Sequence, residues 1–230
     1  MGAGDASFPE SLRGLSRVGG VGLMAYALLS FGREVLDLGV RPLPSTGADF
    51  VSWTVANDWT LGVQNEVLFA ALMCLIPAVP ALYDRLQPSS PASATLGCGT
   101  LAAVIPVLAM LDIVHGRLVF PVYGLRVGTP SVAEFAVAIY YGGLHAAQLM
   151  LGFAVLMLAL AMRRAGIGGP LTRTGPLAAA AAAVTGYPWL IGTSASLALH
   201  AGVAAWWGAT GWMLYRHRNA LSHGGGRHEH

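Results

Sequence analysis

Residues 133–162 read AEFAVAIYYGGLHAAQLMLGFAVLMLALAM, and their one charged side chain, Glu134, stands at the start. A bilayer-spanning helix needs about 20 predominantly apolar residues, so this stretch predicts a membrane span. Working outward, the same criterion selects 18–38, 61–83 and 96–116 before it, and 177–192 and 197–215 after it. The last two come from one apolar run between Pro176 and Tyr215, with the break expected at Pro188 and at Gly192, Thr193 and Ser194. The expected fold class is an all-α, polytopic integral membrane bundle of about six transmembrane helices. A cytoplasmic segment 1–17 precedes the single helical domain 18–216, and a flexible tail 217–230, rich in histidine and glycine, follows it.

Composition agrees with this reading. The chain of 230 residues is 55% hydrophobic and 10% charged, against roughly a quarter charged in a soluble domain. Thirteen arginines, no lysine and eleven acids leave a formal net charge of +2, and the basic residues are not clustered along an amphipathic stretch. A nucleic-acid partner is therefore not expected; the partners are the lipid bilayer and a hydrophobic small molecule. Cys74 and Cys98 lie in apolar surroundings without CxxC spacing, which predicts core residues and no thiol redox centre. The charges of Asp5, Glu10, Arg13 and Arg17 ahead of the first apolar run do not resemble a cleaved signal peptide.

Orientation follows from the arginines, because cationic loops resist translocation. With six helices, one side holds Arg13, Arg17, Arg85, Arg163, Arg164, Arg173, Arg216, Arg218 and Arg227, and the other holds Arg33, Arg41, Arg117 and Arg126. Nine against four places both termini in the cytoplasm, in a cell membrane of the bacterial inner-membrane kind. Prolines inside a helix lack the N–H and clash with the preceding turn, so Pro77, Pro80 and Pro106 predict kinks in the second and third helices. The connection 39–60 is read as the longest loop and, with the fairly apolar 117–132, as an outward lid.

Ionisable side chains within spans are costly and face the bundle interior or a cavity, which makes each a candidate for function. Glu34, Asp37, Asp49, Asp58, Glu66, Asp112 and Glu134 all fall on the outer side or in the outer half of a span, whereas the inner half is almost purely apolar. Glu34 and Asp37 share a helix face at i, i+3. Glu66 belongs to the polar triplet Gln64, Asn65 and Glu66, more than a turn inside the second span, where it acts as an acid or locks helices by pairing with Arg33 or Arg117. Asp112 and His115 again lie at i, i+3, a spacing suited to orienting an imidazole, to metal ligation or to shared acid–base work. Tyr141, His145 and Gln148 recur at i, i+4 and i+7 beside Tyr140 and form a polar stripe. His200 heads the last span, whose Trp206, Trp207 and Trp212 read as interfacial anchors.

These placements point to an intramembrane enzyme acting on a lipid or isoprenoid by isomerisation, cyclisation or hydrolysis. A carboxyl group among apolar neighbours favours its neutral, proton-donating form. Glu66 and Asp112 are expected in that role, with His145 as proton acceptor. Glu34, Asp37, His115, Tyr140, Tyr141, Gln148, Trp189 and His200 are expected to line the substrate site, their aromatic faces, with that of Phe120, steadying a developing cation. No cofactor is indicated by spacing: a zinc site would have to collect Glu66, His145 or His200 from separate helices, and a haem would need two of His115, His145 and His200 as axial ligands. Transport through a relay of the same groups, a haem-binding redox subunit and a non-catalytic accessory protein are the competing readings.

Overall fold

A computed structural model describes the backbone of residues 10–124 and 127–222 and the side chains of 14–124, 127–187 and 190–216. Among these residues there is no strand, and nine helices account for the fold. They are α1 (Glu10–Leu38), α2 (Gly47–Ala56), α3 (Asp58–Leu75), α4 (Ala78–Leu86), α5 (Pro91–Val119), α6 (Pro130–Arg164), α7 (Gly169–Thr185), α8 (Pro188–Ile191) and α9 (Thr193–Ser222). Four segments are long and apolar enough to cross a membrane: Gly14–Leu38, Asp58–Leu86, Pro91–Val119 and Pro130–Arg164. They correspond to the first four spans read from the sequence. The helix α7 has 17 residues, and α9, although 30 residues long, dilutes its apolar residues with His200, glycines and hydroxyl side chains.

Helix boundaries follow the punctuation of the chain. Pro91, Pro130, Pro170 and Pro188 sit in first turns, where a missing N–H costs nothing and the ring pre-sets φ. Gly168 and Gly192, with φ of 77° and 69°, supply the left-handed residues that turn the chain into α7 and α9, a conformation open to glycine without a Cβ clash. Pro77 divides the second span into α3 and α4, whereas Pro106 stays inside an unbroken α5. The expected division of the last apolar run appears at 186–187 and again at Gly192.

Two connections differ from the sequence reading. The region 39–60 is not an extended loop, because it contains α2, whose first turn is capped by Thr46. The Thr46 hydroxyl accepts from the Asp49 N–H at 3.3 Å, and the Asp49 carboxylate sits where a helix N-terminus favours negative charge. Phe50 of α2 packs on Ala133 and Val137 of α6, and Glu134 accepts from the Gly47 N–H at 2.6 Å. The connection read as 117–132 shortens to 120–129, since α5 runs through Arg117 to Val119. The expectations for the tail beyond residue 222 and for residues 1–9 lie outside the described residues.

Within lipid, helices gain little from hiding apolar surface from one another, so association rests on close packing, which small residues permit. The longest contacts run between α1 and α9, α5 and α6, and α6 and α7. At the crossing of α1 and α9, a Cβ on Gly20 would stand 2.7 Å from the Gly211 carbonyl oxygen, and a Cβ on Gly211 would meet Gly20 as closely. Gly152 stands in the same relation to the Ala179 carbonyl on α7. Around these crossings Leu23, Leu72, Leu75, Leu101, Leu158, Met162 and Trp207 form one continuous core. Cys74 and Cys98 are both free thiols.

Gly20→Ala or Gly211→Ala should lower the thermal unfolding midpoint in detergent, at an overpacking cost of about 1–3 kcal/mol. Gly99→Ala, where a Cβ meets nothing within 4 Å, should leave the midpoint unchanged or raise it.

Candidate functional site

The helix α1 carries its apolar face as far as Phe31 and then places Arg33, Glu34 and Asp37 in its last two turns. Arg33 and Asp37, four residues apart, share a face and are buried at 6% and 3% exposure. A buried guanidinium must be paired and hydrogen-bonded to be tolerated. Arg33 meets this through its terminal nitrogens, donating one Nη to Glu34 Oε1 at 2.5 Å and the other to the Tyr140 hydroxyl of α6, while its buried Nε has no hydrogen-bond partner among the described residues. Its planar head also lies 5.8 Å from the centre of the Tyr140 ring. Asp37 is held from outside the helix by Arg41, whose Nε and Nη2 donate at 2.7 and 2.6 Å. Two cations and two anions thus sit together with no formal net charge.

Behind Tyr140 the polar contacts continue sideways through the bundle. His115 of α5 stacks on the Tyr140 ring at 4.3 Å between centres, and its Nδ1 lies 2.5 Å from the side-chain amide of Asn65 on α3. The amide orientation that satisfies its neighbours donates to His115 Nδ1 and, at 3.3 Å, to Asp112 Oδ1, while its oxygen accepts from the Gly116 N–H at 2.8 Å. Asp112 and His115 are therefore joined through Asn65 and not by a direct bond. Glu66, the next residue on α3, is exposed, whereas Gln64 and Asn65 before it are both buried.

On the other side of Arg33, α1, α6, α7 and α9 enclose a polar cavity of about 30 Å³. Its lining includes Glu34, Asp37, Tyr141, His145, Gln148 and His200, together with Arg33, Arg41, Thr185 and Ser196. The stripe Tyr141, His145 and Gln148 faces the cavity as its spacing predicts. His145 approaches the Gly186 carbonyl oxygen through Nδ1 at 3.1 Å, and its ring meets the edge of Tyr187 at 4.3 Å between centres. The α2 cluster reaches the same region through Tyr141, which packs against it.

His200 has an informative geometry. Its Nδ1 lies 2.9 Å from the Ser196 carbonyl oxygen and 3.4 Å from the Ser196 hydroxyl. Its Nε2 faces Glu34 Oε2 across 3.6 Å, so an acid and an imidazole from α1 and α9 meet at the cavity wall.

Of the residues selected from the sequence, Glu34, Asp37, Tyr141, His145, Gln148 and His200 are brought to one cavity. Tyr140 and His115 lie behind it, Asp112 is reached through Asn65, and Glu66 stands apart on the surface. The Trp189 side chain lies outside the described residues. The sequence reading passed over Arg41, Thr185 and Ser196 as site residues and gave Arg33 only the role of a pairing partner, locally or with Glu66. The signal for Arg33 was its position inside the first apolar run, since a cation there must have partners in the bundle. Among the described residues no group of three or more His, Cys, Asp and Glu side chains is arranged to hold a metal ion. His145 and His200 share the cavity, but about 30 Å³ holds only a couple of waters, so a haem would require the helices to separate.

Arg33→Ala would strand Glu34 and the Tyr140 hydroxyl in a bundle interior. Breaking a buried pair from one side costs about 3–5 kcal/mol, which should appear as a strongly lowered unfolding midpoint. Arg33→Lys keeps the charge but not the planar fork and should recover only part of the loss. Set beside known proteins, the chain matches no family model, no curated protein and no solved structure.

Proposed function

We propose that this chain is a small membrane-embedded enzyme that carries out acid–base chemistry on the polar end of a lipid or isoprenoid. The reading includes six spans, α7 and α9 being the fifth and sixth, with both termini in the cytoplasm and the cavity on the outer side of a bacterial inner membrane. Nine arginines against four support that orientation. The observation that carries the function is the Glu34–His200 pair, 3.6 Å apart, in a cavity shared with His145.

In this mechanism the Glu34–His200 pair delivers a proton to an alkene, an epoxide or a leaving oxygen of the substrate. His145, in the same cavity with its Nδ1 at the Gly186 carbonyl, takes the part of proton acceptor. Arg33 balances Glu34 and limits where its carboxylate can point, and Tyr141 and Gln148 supply orienting hydrogen bonds. Catalytic weight moves from Glu66 and Asp112 to Glu34 and His200, because Asp112 is already engaged with Asn65 and Glu66 does not reach the cavity. Positioned proton transfer contributes typically 10²–10⁴-fold to rate.

The competing reading is an accessory protein whose polar groups only fasten helices. It draws support from the contacts of Arg33 with Tyr140, Tyr140 with His115 and His115 with Asn65, which tie α1, α6, α5 and α3 together.

Mass spectrometry of lipid extracts from cells expressing the wild type, Glu34→Gln, His200→Asn and His145→Asn separates the two. The enzyme produces or depletes a lipid or isoprenoid species, and each variant, present in the membrane at the wild-type amount, should lose about 10²-fold or more of that change. Identical lipid profiles for wild type and variants would leave the accessory role. A fluorescent protein fused after His230 should fluoresce, and alkaline phosphatase fused there should be inactive, if the C-terminus is cytoplasmic.

A further inference from the structure

The cavity beside Glu34 and His200 is too small for a whole substrate: about 30 Å³, where ligand sites are typically 300–1,000 Å³. The missing volume lies next to it. An apolar groove of about 660 Å³ runs between α7 and α9 and opens to the outside of the bundle. Its walls include Ala178, Ala181 and Val184 on α7 and Ala198, Leu199 and Gly202 on α9. From Leu171 to Val184 it spans 13 helical steps, about 20 Å at 1.5 Å each.

The groove and the cavity share the same two helix ends. Val184 of the groove precedes Thr185 and Gly186 of the cavity, and Ala198 and Leu199 lie between Ser196 and His200 of the cavity. At the far end the indole N–H of Trp206 donates to the Leu171 carbonyl at 3.1 Å and draws α7 and α9 together. The result is a slot closed at one end by Trp206 and followed at the other, along both helices, by the cavity residues Thr185, Ser196 and His200.

We infer that the α7–α9 groove holds the hydrocarbon tail of the substrate, a single-chain amphiphile whose terminal hydroxyl or carboxyl enters the cavity at His200. This rests on the enzyme reading above and narrows it to a substrate class. The cavity selects the head, because room for about two waters admits a hydroxyl or carboxyl group and not a phosphodiester headgroup. Small residues select the tail: alanines and a glycine on the facing walls leave the width open, whereas larger side chains would fill it. Two-chain phospholipid is the occupant that the cavity rejects, although it surrounds the groove in the bilayer.

The test is fluorescence quenching of the full chain in detergent micelles, with a brominated long-chain fatty acid as probe. Quenching should saturate and should lose its main component in Trp206→Phe, since Trp206 lines the closed end. Gly202→Leu, placed where a Cβ meets nothing within 4 Å, should fold as the wild type and weaken the probe at least tenfold, and Ala181→Leu on the opposite wall should do the same. His200→Asn should weaken the fatty acid several-fold while leaving a brominated alkane without a head unchanged. Equal, non-saturating quenching by brominated phosphatidylcholine, or indifference to both groove variants, would overturn the inference. Saturable, groove-dependent binding with unchanged lipid profiles would uphold the groove as a single-chain site while removing the enzyme reading.

Discussion

The polar contacts that link α1, α6, α5 and α3 start from the burial of one guanidinium. Arg33 lies within a helix apolar enough to cross a membrane, where an unpaired cation would cost several kcal/mol. The helices next to α1 are therefore committed to supplying partners. Glu34 comes from its own helix and Tyr140 from α6, and Tyr140 in turn meets His115, which meets Asn65. One charge is thus compensated through contacts that cross four helices, α1, α6, α5 and α3. The network aligns these helices along their axes, because sliding any of them by a turn would separate the partners.

The apolar part of the bundle is held by a different force. Lipid solvates a leucine as well as a neighbouring helix does, so the helices meet where glycine and alanine let backbones approach. Gly20 with Gly211 and Gly152 with Ala179 are such places. The same small residues leave space where the helices diverge, and α7 and α9 part above Trp206 to form the groove. Close packing at one end of a helix pair and an open slot at the other are consequences of one composition.

The cavity lies where these two regimes meet. Its head region is set by Arg33, Glu34, His145 and His200, and its approach by the alanine-rich walls of α7 and α9. The contacts of His200 with Ser196 on its own helix turn its Nε2 towards Glu34, so ionisable groups from α1 and α9 meet next to apolar surface.

Much of this was legible in the residues. Apolar runs of span length decided the all-helical class and the first four long helices, because hydropathy acts locally and needs no partner. Glycine and proline likewise located the breaks at Pro77, Pro188 and Gly192. The stripe Tyr141, His145 and Gln148 was visible because helical periodicity orders side chains within one element. The short α2 was missed although Thr46 and Asp49 form a recognisable N-terminal cap, since its ten residues are too few to span a membrane and follow Pro42 and Pro44 in a stretch read as a loop. Which polar residues meet was a tertiary matter. Neighbours in sequence, Asn65 and Glu66, separate into a buried and an exposed side chain, and residues more than a hundred positions apart, Arg33 and Tyr140 or Glu34 and His200, are brought together. The sequence alone determined where helices begin, end and prefer lipid, because those preferences are properties of a segment. Only the tertiary structure decided that Glu34 meets His200 and that a groove opens between α7 and α9, because helix rotation and crossing are set by contacts between segments that no single one of them encodes.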